Sequence, residues 1–411
     1  MSWQMIHWIT GGILALAWFS RVVDAALGMP RITDITRPEW DRKPATRDGD
    51  PRVTIIVPAR NEEEHIRETL TRLLALDYSN YEIIAVNDRS TDRTGEIMDE
   101  LAADAGRAGS ERSRASRGRV EGNDRPALLK VLHIPDLPPG WLGKTHAMWT
   151  AGQYATGDRL LFTDADVLFK PDALRRAIAY AEKEEADHLV LFPRMIMESV
   201  GERMMIAFFQ ALFVFGHRPW KVSDPEASDH MGVGAFNMVR RKAYDAVGTY
   251  QALRMEVLDD MKLGKVVKNA GFAQRNVFGE DLISLRWAKG AFGVVNNLTK
   301  NFFAVLSFQV WRTLAAIAAL AFLNLGPFLG IWLAHGWLRL PYGVALSSIS
   351  LIYWGMAPRS AVPAYYFFLH PVSTSLFVYT LLRSMGHTLR NSGIVWRGTK
   401  YPLEELRKGL V

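Results

Sequence analysis

The 411-residue sequence predicts an α/β unit, a mostly parallel sheet with helices on both faces, set between membrane segments. Three observations carry that expectation. Short β-branched runs alternate with helical stretches between residues 50 and 300, a long apolar segment precedes them, and more apolar segments follow. Mean hydropathy is −0.01, high for a soluble chain and low for one wholly in lipid, so the apolar residues are segregated.

The strand candidates are VTIIV (53–57), YEIIAV (81–86), LLKVLHI (128–134), RLLFTD (159–164) and HLVLF (188–192). Ile66, Leu70, Leu73 and Leu74 fall at helical spacing behind an acidic first turn, which predicts a helix over 62–76, and another is expected over 92–101. Strands separated by helices pair in parallel. In such sheets ligands bind beyond the carboxyl ends of the strands, so the polar residues after each run are the ones to weigh for chemistry. Residues 103–125 are rich in Gly, Ser and Arg with almost no apolar content, which predicts a flexible, solvated insertion.

Residues 5–19 (MIHWITGGILALAWF) are apolar apart from His7 and Thr10. A spanning helix needs roughly 20 mostly apolar residues, a length reached by running through Arg21 to Val23. No basic stretch precedes this segment and no clean small-residue cleavage site follows, so residues 1–28 read as an anchor rather than a removed signal. Arg31, Arg37, Arg42, Lys43 and Arg47 follow, and the positive-inside rule then puts the middle of the chain in the cytosol, in a multi-pass protein of the inner (cytoplasmic) membrane.

After residue 300 a membrane region (301–385) has about three apolar segments, 313–335, 340–356 and 361–382, followed by a basic tail over 386–411. Three passes would carry that tail outside, against its charge. One segment is therefore expected to be re-entrant or interfacial, and 361–371, with Pro363 and Pro371, is the candidate. The stretch 302–311 (FFAVLSFQVW) suits the headgroup layer and predicts an interfacial helix.

A net charge of +6 is compatible with nucleic acid, anionic lipid or an anionic nucleotide. The basic insertion lacks the interleaved aromatics of a single-strand binder, so nucleic acid is not expected as a partner. With no Cys there is no disulfide framework, zinc-thiolate cluster or thiol nucleophile.

Chemistry concentrates at strand ends: Pro58, Arg60, Asn61 and Glu62 after the first run, Asn87 to Asp92 after the second, Asp164 and Asp166 after the fourth. Asp-x-Asp supplies hard oxygen ligands for a divalent cation whose octahedron is completed by diphosphate and water. The same tripeptide also reads as a turn capping the helix that begins near Pro171. Asp259 and Asp260 likewise read either as reactive acids or as the dipole-complementing start of a helix.

Taken in order, VTIIVPARNEE (53–63), AVNDRSTDRT (85–94), GWLGKTHAMWTAGQYATGDRLLFTDADV (140–167), GVGAFNMVRRKAYDAVG (232–248) and DDMKLGKVVKNAGF (259–272) resemble the family 2 nucleotide-sugar glycosyltransferases of the GT-A fold, over about residues 52–300. The resemblance implies that Pro58, Arg60 and Glu62 line the nucleotide pocket, that Asp88 contacts the base, and that Lys144 lies near the donor, a UDP-sugar by this reading. It implies that Asp164 and Asp166 hold Mg2+ or Mn2+. It makes Asp260, beside Asp259 where relatives have Glu, the catalytic base.

Two further departures stand out. Asn87 replaces a frequent Asp, and Ile283 replaces the Gln of the Gln-x-x-Arg-Trp clamp of processive synthases, although Arg286 and Trp287 remain. Arg286 and Trp287 read equally as diphosphate and sugar contacts or as a snorkelling Arg and an interfacial Trp. The tail RNSGIVWRGTKY (390–401) and the span layout resemble the bacterial hopene-associated and carotenoid glycolipid glycosyltransferases. The expected function is therefore a membrane-bound inverting glycosyltransferase moving one sugar to a lipid hydroxyl. The alternatives are a processive polysaccharide synthase and a catalytically silent membrane scaffold.

Overall fold

The computed structural model describes residues 2–43, 49–115 and 128–411. In chain order the elements begin with α1 (Trp3–Gly28), β1 (Val53–Ala59), α2 (Ile66–Leu74), β2 (Tyr81–Asp88), α3 (Thr94–Ala115), β3 (Leu128–Ile134), α4 (Gly143–Tyr154) and β4 (Arg159–Phe162). They continue with β5 (Leu168–Phe169), α5 (Ala173–Lys183), β6 (His188–Phe192), β7 (Arg194–Met195), α6 (Val200–Gly216), β8 (Asn237–Arg240), α7 (Arg241–Ala246), α8 (Thr249–Ala252) and α9 (Asp259–Asn269). The remainder is β9 (Gln274–Phe278), β10 (Ile283–Leu285), α10 (Gly290–Val305), α11 (Val310–Leu333), α12 (Leu340–Ser360), α13 (His370–Arg390), β11 (Gly393–Trp396), β12 (Thr399–Pro402) and α14 (Leu403–Lys408).

Packing divides the chain into two units that interleave in sequence. One holds residues 33–195, 222–286 and 408–411, the other residues 1–32, 196–221 and 287–407. The stretch 50–300, expected as one contiguous domain, therefore gives up 196–221 and 287–300 to the apolar unit.

The first unit is built on a seven-stranded sheet of order β3-β2-β1-β4-β8-β6-β9. All five predicted runs are strands in it. β1 pairs in parallel with β2 and β4, β2 with β3, and β6 with β9, while β8 runs antiparallel between β4 and β6. Every residue of β1 is buried, as a strand covered by helices on both faces requires. A small sheet, β5-β10-β7, lies beyond the end of β4. The insertion expected from residue 103 begins as helix, since α3 runs on to Ala115; residues 116–125 lie outside those described.

In the second unit, among the described residues, three helical segments are long and apolar enough to cross a membrane: Trp3–Arg31, Val310–Leu333 and Gly336–Ser360. Two such segments thus follow residue 300, not three. Residues 361–382 divide into a short 3-10 turn (Ala364–Leu369) and α13, whose Ser373, Thr374, Thr380 and Ser384 are buried. The stretch 302–311 is not one helix: α10 ends at Val305, Ser307 and Phe308 have φ of 56° and 55°, and α11 starts at Val310. α1 is tied to α12 through Tyr342, whose hydroxyl lies 2.9 Å from His7 Nδ1 and 2.8 Å from Thr10 Oγ1. In the tail, Arg397 and Gly398 (φ 47° and 78°) form the two-residue turn of the β11–β12 hairpin, and Lys300 Nζ sits 4.0 Å over the Trp396 ring.

Candidate active site

The loops after β1 and β2 lock together. Asn61, at φ 54°, donates its backbone N–H to Ser90 Oγ and accepts from Thr91 N–H at 2.8 Å, while Glu62 N–H donates to Thr94 Oγ1 at 2.7 Å. Asn87 accepts from Ser90 N–H at 3.2 Å and its amide nitrogen lies 3.1 Å from His133 Nδ1, a contact that an Asp at this position would not make as a donor. These bonds fix the backbone that carries Arg60, Glu62 and Asp88.

Asp88, at the end of β2, is buried and held by both arms of Arg89, with Nε–Oδ1 2.7 Å and Nη2–Oδ2 3.0 Å. Gly143, the first residue of α4, backs onto it: a Cβ there would lie 2.4 Å from Asp88 Oδ2. The start of α4 is pinned by Leu142 N–H and Thr145 Oγ1, which both donate to Arg254 O, at 2.8 and 2.7 Å.

One residue on, Lys144 reaches Asp164 Oδ1 at 2.8 Å and Asp259 Oδ1 at 3.5 Å. Burial disfavours the charged ammonium, but Asp164, Asp259 and Asp260 outweigh it and raise the Lys144 pKa. Lys144, Asp164, Asp259 and Asp260 line a cavity of about 190 Å3 together with Met148, Phe162, Thr163, Gly234, Asn237 and Tyr250.

Asp166 lies beside this cluster. Burial, then Asp164 and Glu62, push its carboxyl up to about 7. Burial also raises the Asp260 carboxyl, against the pull of Lys144 and the Met261 N–H. Asp259 and Asp260 do occupy the first turn of α9, so their helix-starting role and their place in the cavity coexist. Among the described residues no three His, Asp or Glu side chains form a ready-made metal cluster.

Pro58 is buried in β1 opposite Val86, and Arg60 follows that strand directly. Arg286 and Trp287 do not line the cavity; Trp287 packs on Phe209, ring centroids 5.2 Å apart. Ile283 is buried in β10 opposite Phe169, which makes the residue standing in place of the processive Gln a core residue.

Sequence reading passed over Gly232, Gly234, Asn237 and Tyr250. The first three sit in the matched stretch GVGAFN, whose two glycines signal close approach. A Cβ at Gly234 would lie 2.5 Å from Asp164 Oδ2, and one at Gly232 would lie 1.8 Å from Asp260 O.

A mostly parallel sheet with Asp88 and Asp164 at its strand ends, both against the start of α4, has the architecture of the GT-A type. Residues 54–120 and 132–260 match Glycosyl transferase family 2, so the chain carries a glycosyltransferase domain of that family. It is 22% identical over 360 residues to a 4,4'-diaponeurosporenoate glycosyltransferase of Staphylococcus aureus, covering 86% of this chain and 89% of that protein. A protein of the same name from Staphylococcus haemolyticus is 22% identical over 244 residues, 58% of each. Among solved structures, a mannosyltransferase of Pyrobaculum calidifontis in complex with GDP-Man and Mn2+ shares the fold, with a TM-score of 0.51 at 19% identity, over 93% of this chain and 99% of that one.

Proposed function

We propose that the chain transfers a single sugar from a nucleotide-sugar donor, a UDP-sugar in our reading, to a lipid hydroxyl, by one inverting displacement at the anomeric carbon. The observation that carries this is the shared cavity: Asp260, the candidate base, and Lys144 and Asp164, the candidate diphosphate end, line the same small space.

Asp260 takes the proton of the acceptor hydroxyl, for which its carboxylate must come within about 3 Å. Its raised pKa makes it a better proton acceptor than an ordinary surface aspartate. Lys144 faces the donor phosphates and counters the charge that gathers on the leaving diphosphate. Asp88, Glu62, Arg60 and Pro58 shape the nucleotide end, and Asp259 orients Lys144. Arg286 and Trp287 have no part in the displacement under this reading.

Asp164 and Asp166 suit a divalent cation such as Mg2+ or Mn2+: both offer hard carboxylate oxygens, and burial first, then the neighbouring charges of Asp164 and Glu62, raises the Asp166 pKa. When bound, the ion would neutralise diphosphate charge.

The lipid acceptor is supported by the three membrane-length segments and by relatives named for a carotenoid-type acceptor. A hopanoid, carotenoid or other glycolipid precursor fits this class. Among the described residues one membrane-length segment precedes the sheet unit and two follow it, a layout that supports a reading with that unit and the basic tail on one side, the cytosolic side by the charge rule. The buried Ile283 favours single transfer over a processive synthase.

Purified protein supplied with a divalent cation and UDP-sugars should release nucleoside diphosphate only when a lipid extract is added. Equal release without lipid, or a product ladder of growing length, would overturn the proposal.

A further inference from the structure

We propose that His188, Asn237 and Gln274 form a buried relay that fixes the backbone of Asp260, which makes them positioning residues for sugar transfer. The inference rests on the reading of Asp260 as the base.

The three residues lie on adjacent strands β8, β6 and β9 and are almost fully enclosed, at 0%, 1% and 1% exposure for His188, Asn237 and Gln274. Three amide- or imidazole-bearing side chains in a sheet core are costly unless each polar atom has a partner. Here the partners run in one direction only.

Gln274 Oε1 accepts from Met231 N–H at 2.9 Å, and Gln274 Nε2 donates to Gly264 O at 3.0 Å and Met231 O at 3.3 Å. With its oxygen held by Met231 N–H the amide is oriented, so its nitrogen, 2.6 Å from His188 Nδ1, gives one hydrogen to the imidazole and shares the other between the two carbonyls. The proton of His188 is then on Nε2, where it is donated to Asn237 Oδ1. Asn237 is fixed in turn, and its Nδ2 donates to Asp260 O at 3.3 Å. Burial keeps the imidazole neutral, with its pKa pushed down to about 4.

The relay ends on the first turn of α9. That turn is gripped from a second side by Gly232, where a Cβ would lie 1.8 Å from Asp260 O. Met231 joins both grips, because its backbone N–H and carbonyl are bonded by Gln274. A base displaced by an ångström loses much of its rate, so a hydrogen bond that sets the backbone of Asp260 acts on turnover without touching the reacting atoms.

The test uses the full chain in detergent, with turnover, donor KM and equilibrium nucleotide affinity measured together. Asn237→Asp keeps the size and the acceptor for His188 but loses the donor to Asp260 O; it should lower kcat about tenfold, the worth of one hydrogen bond, with KM and nucleotide affinity within about twofold. His188→Gln, a neutral amide, should retain more kcat than His188→Leu. Asn237→Asp with wild-type kcat, or one that loses nucleotide affinity and kcat in parallel, overturns the relay. Asp260→Asn in the same assay separates the two levels: if it turns over at the wild-type rate the base assignment fails, and if it is inactive while Asn237→Asp keeps the wild-type kcat only the relay fails.

Discussion

Lys144 Nζ lies 2.8 Å from Asp164 Oδ1, which joins the start of α4 to the end of β4 across the mouth of the sheet. The same ammonium is 3.5 Å from Asp259 at the start of α9. One cation therefore gathers acids from segments nearly a hundred residues apart, and these acids would otherwise repel one another.

Lys144→Met removes that cation from the cavity. Nucleotide-sugar affinity should fall about tenfold or more, because the diphosphate then meets the carboxylates without a counter-charge. The protein should also lose stability, since breaking a buried ion pair leaves its partners uncompensated. Titration with nucleotide and a thermal melt check both.

The two glycines of the 231–234 loop should separate chemistry from folding. Gly234→Ala puts a methyl 2.5 Å from a carboxylate oxygen of Asp164, which can turn aside, so the protein folds but kcat/KM drops at least about tenfold. Gly232→Ala puts it 1.8 Å from the backbone oxygen of Asp260, which cannot, so a large drop in melting temperature is expected. Melting curves beside steady-state kinetics on the two variants distinguish these outcomes.

The five strands legible in the sequence are those rich in β-branched and aliphatic residues, buried on both faces. β8 (NMVR) and β9 (QRNVF) were not legible because polar Asn237, Gln274 and Asn276 are buried in them, the first two bonded by partners that only the folded sheet supplies. The site was legible where motif residues contact one another, as with Lys144, Asp164 and Asp259. It was not legible where a residue acts through backbone approach, as Gly232 does, or where Tyr250 closes the cavity from a short helix without a pattern of its own. The third C-terminal segment, singled out in the sequence as the least suited to a plain span, carries a buried row of Ser and Thr in α13 that its apolar composition does not announce.

Glu82 gives the fold a pH dependence. It is buried in β2, with Oε1 accepting from Thr54 Oγ1 at 2.7 Å and from Thr156 N–H and Oγ1 at 2.8 Å, while Lys130 and Arg52 flank Oε2 at 3.7 and 3.4 Å. Burial raises its pKa, but these partners outweigh it and hold it below the ordinary 4.5. A depressed carboxylate stabilises the fold above its unfolded pKa, and that contribution is lost as pH falls through the folded value. Wild-type stability should therefore decline below about pH 4.5. Glu82→Gln should cost about 1–3 kcal/mol at neutral pH and show a flatter acid limb, read from melts across pH.

Asp260→Asn, assayed for lipid-dependent nucleoside diphosphate release with nucleotide affinity measured alongside, tests the assignment of the base most directly. The account predicts turnover reduced by about a hundredfold or more with affinity for the nucleotide retained. Turnover at the wild-type rate in that variant would contradict it.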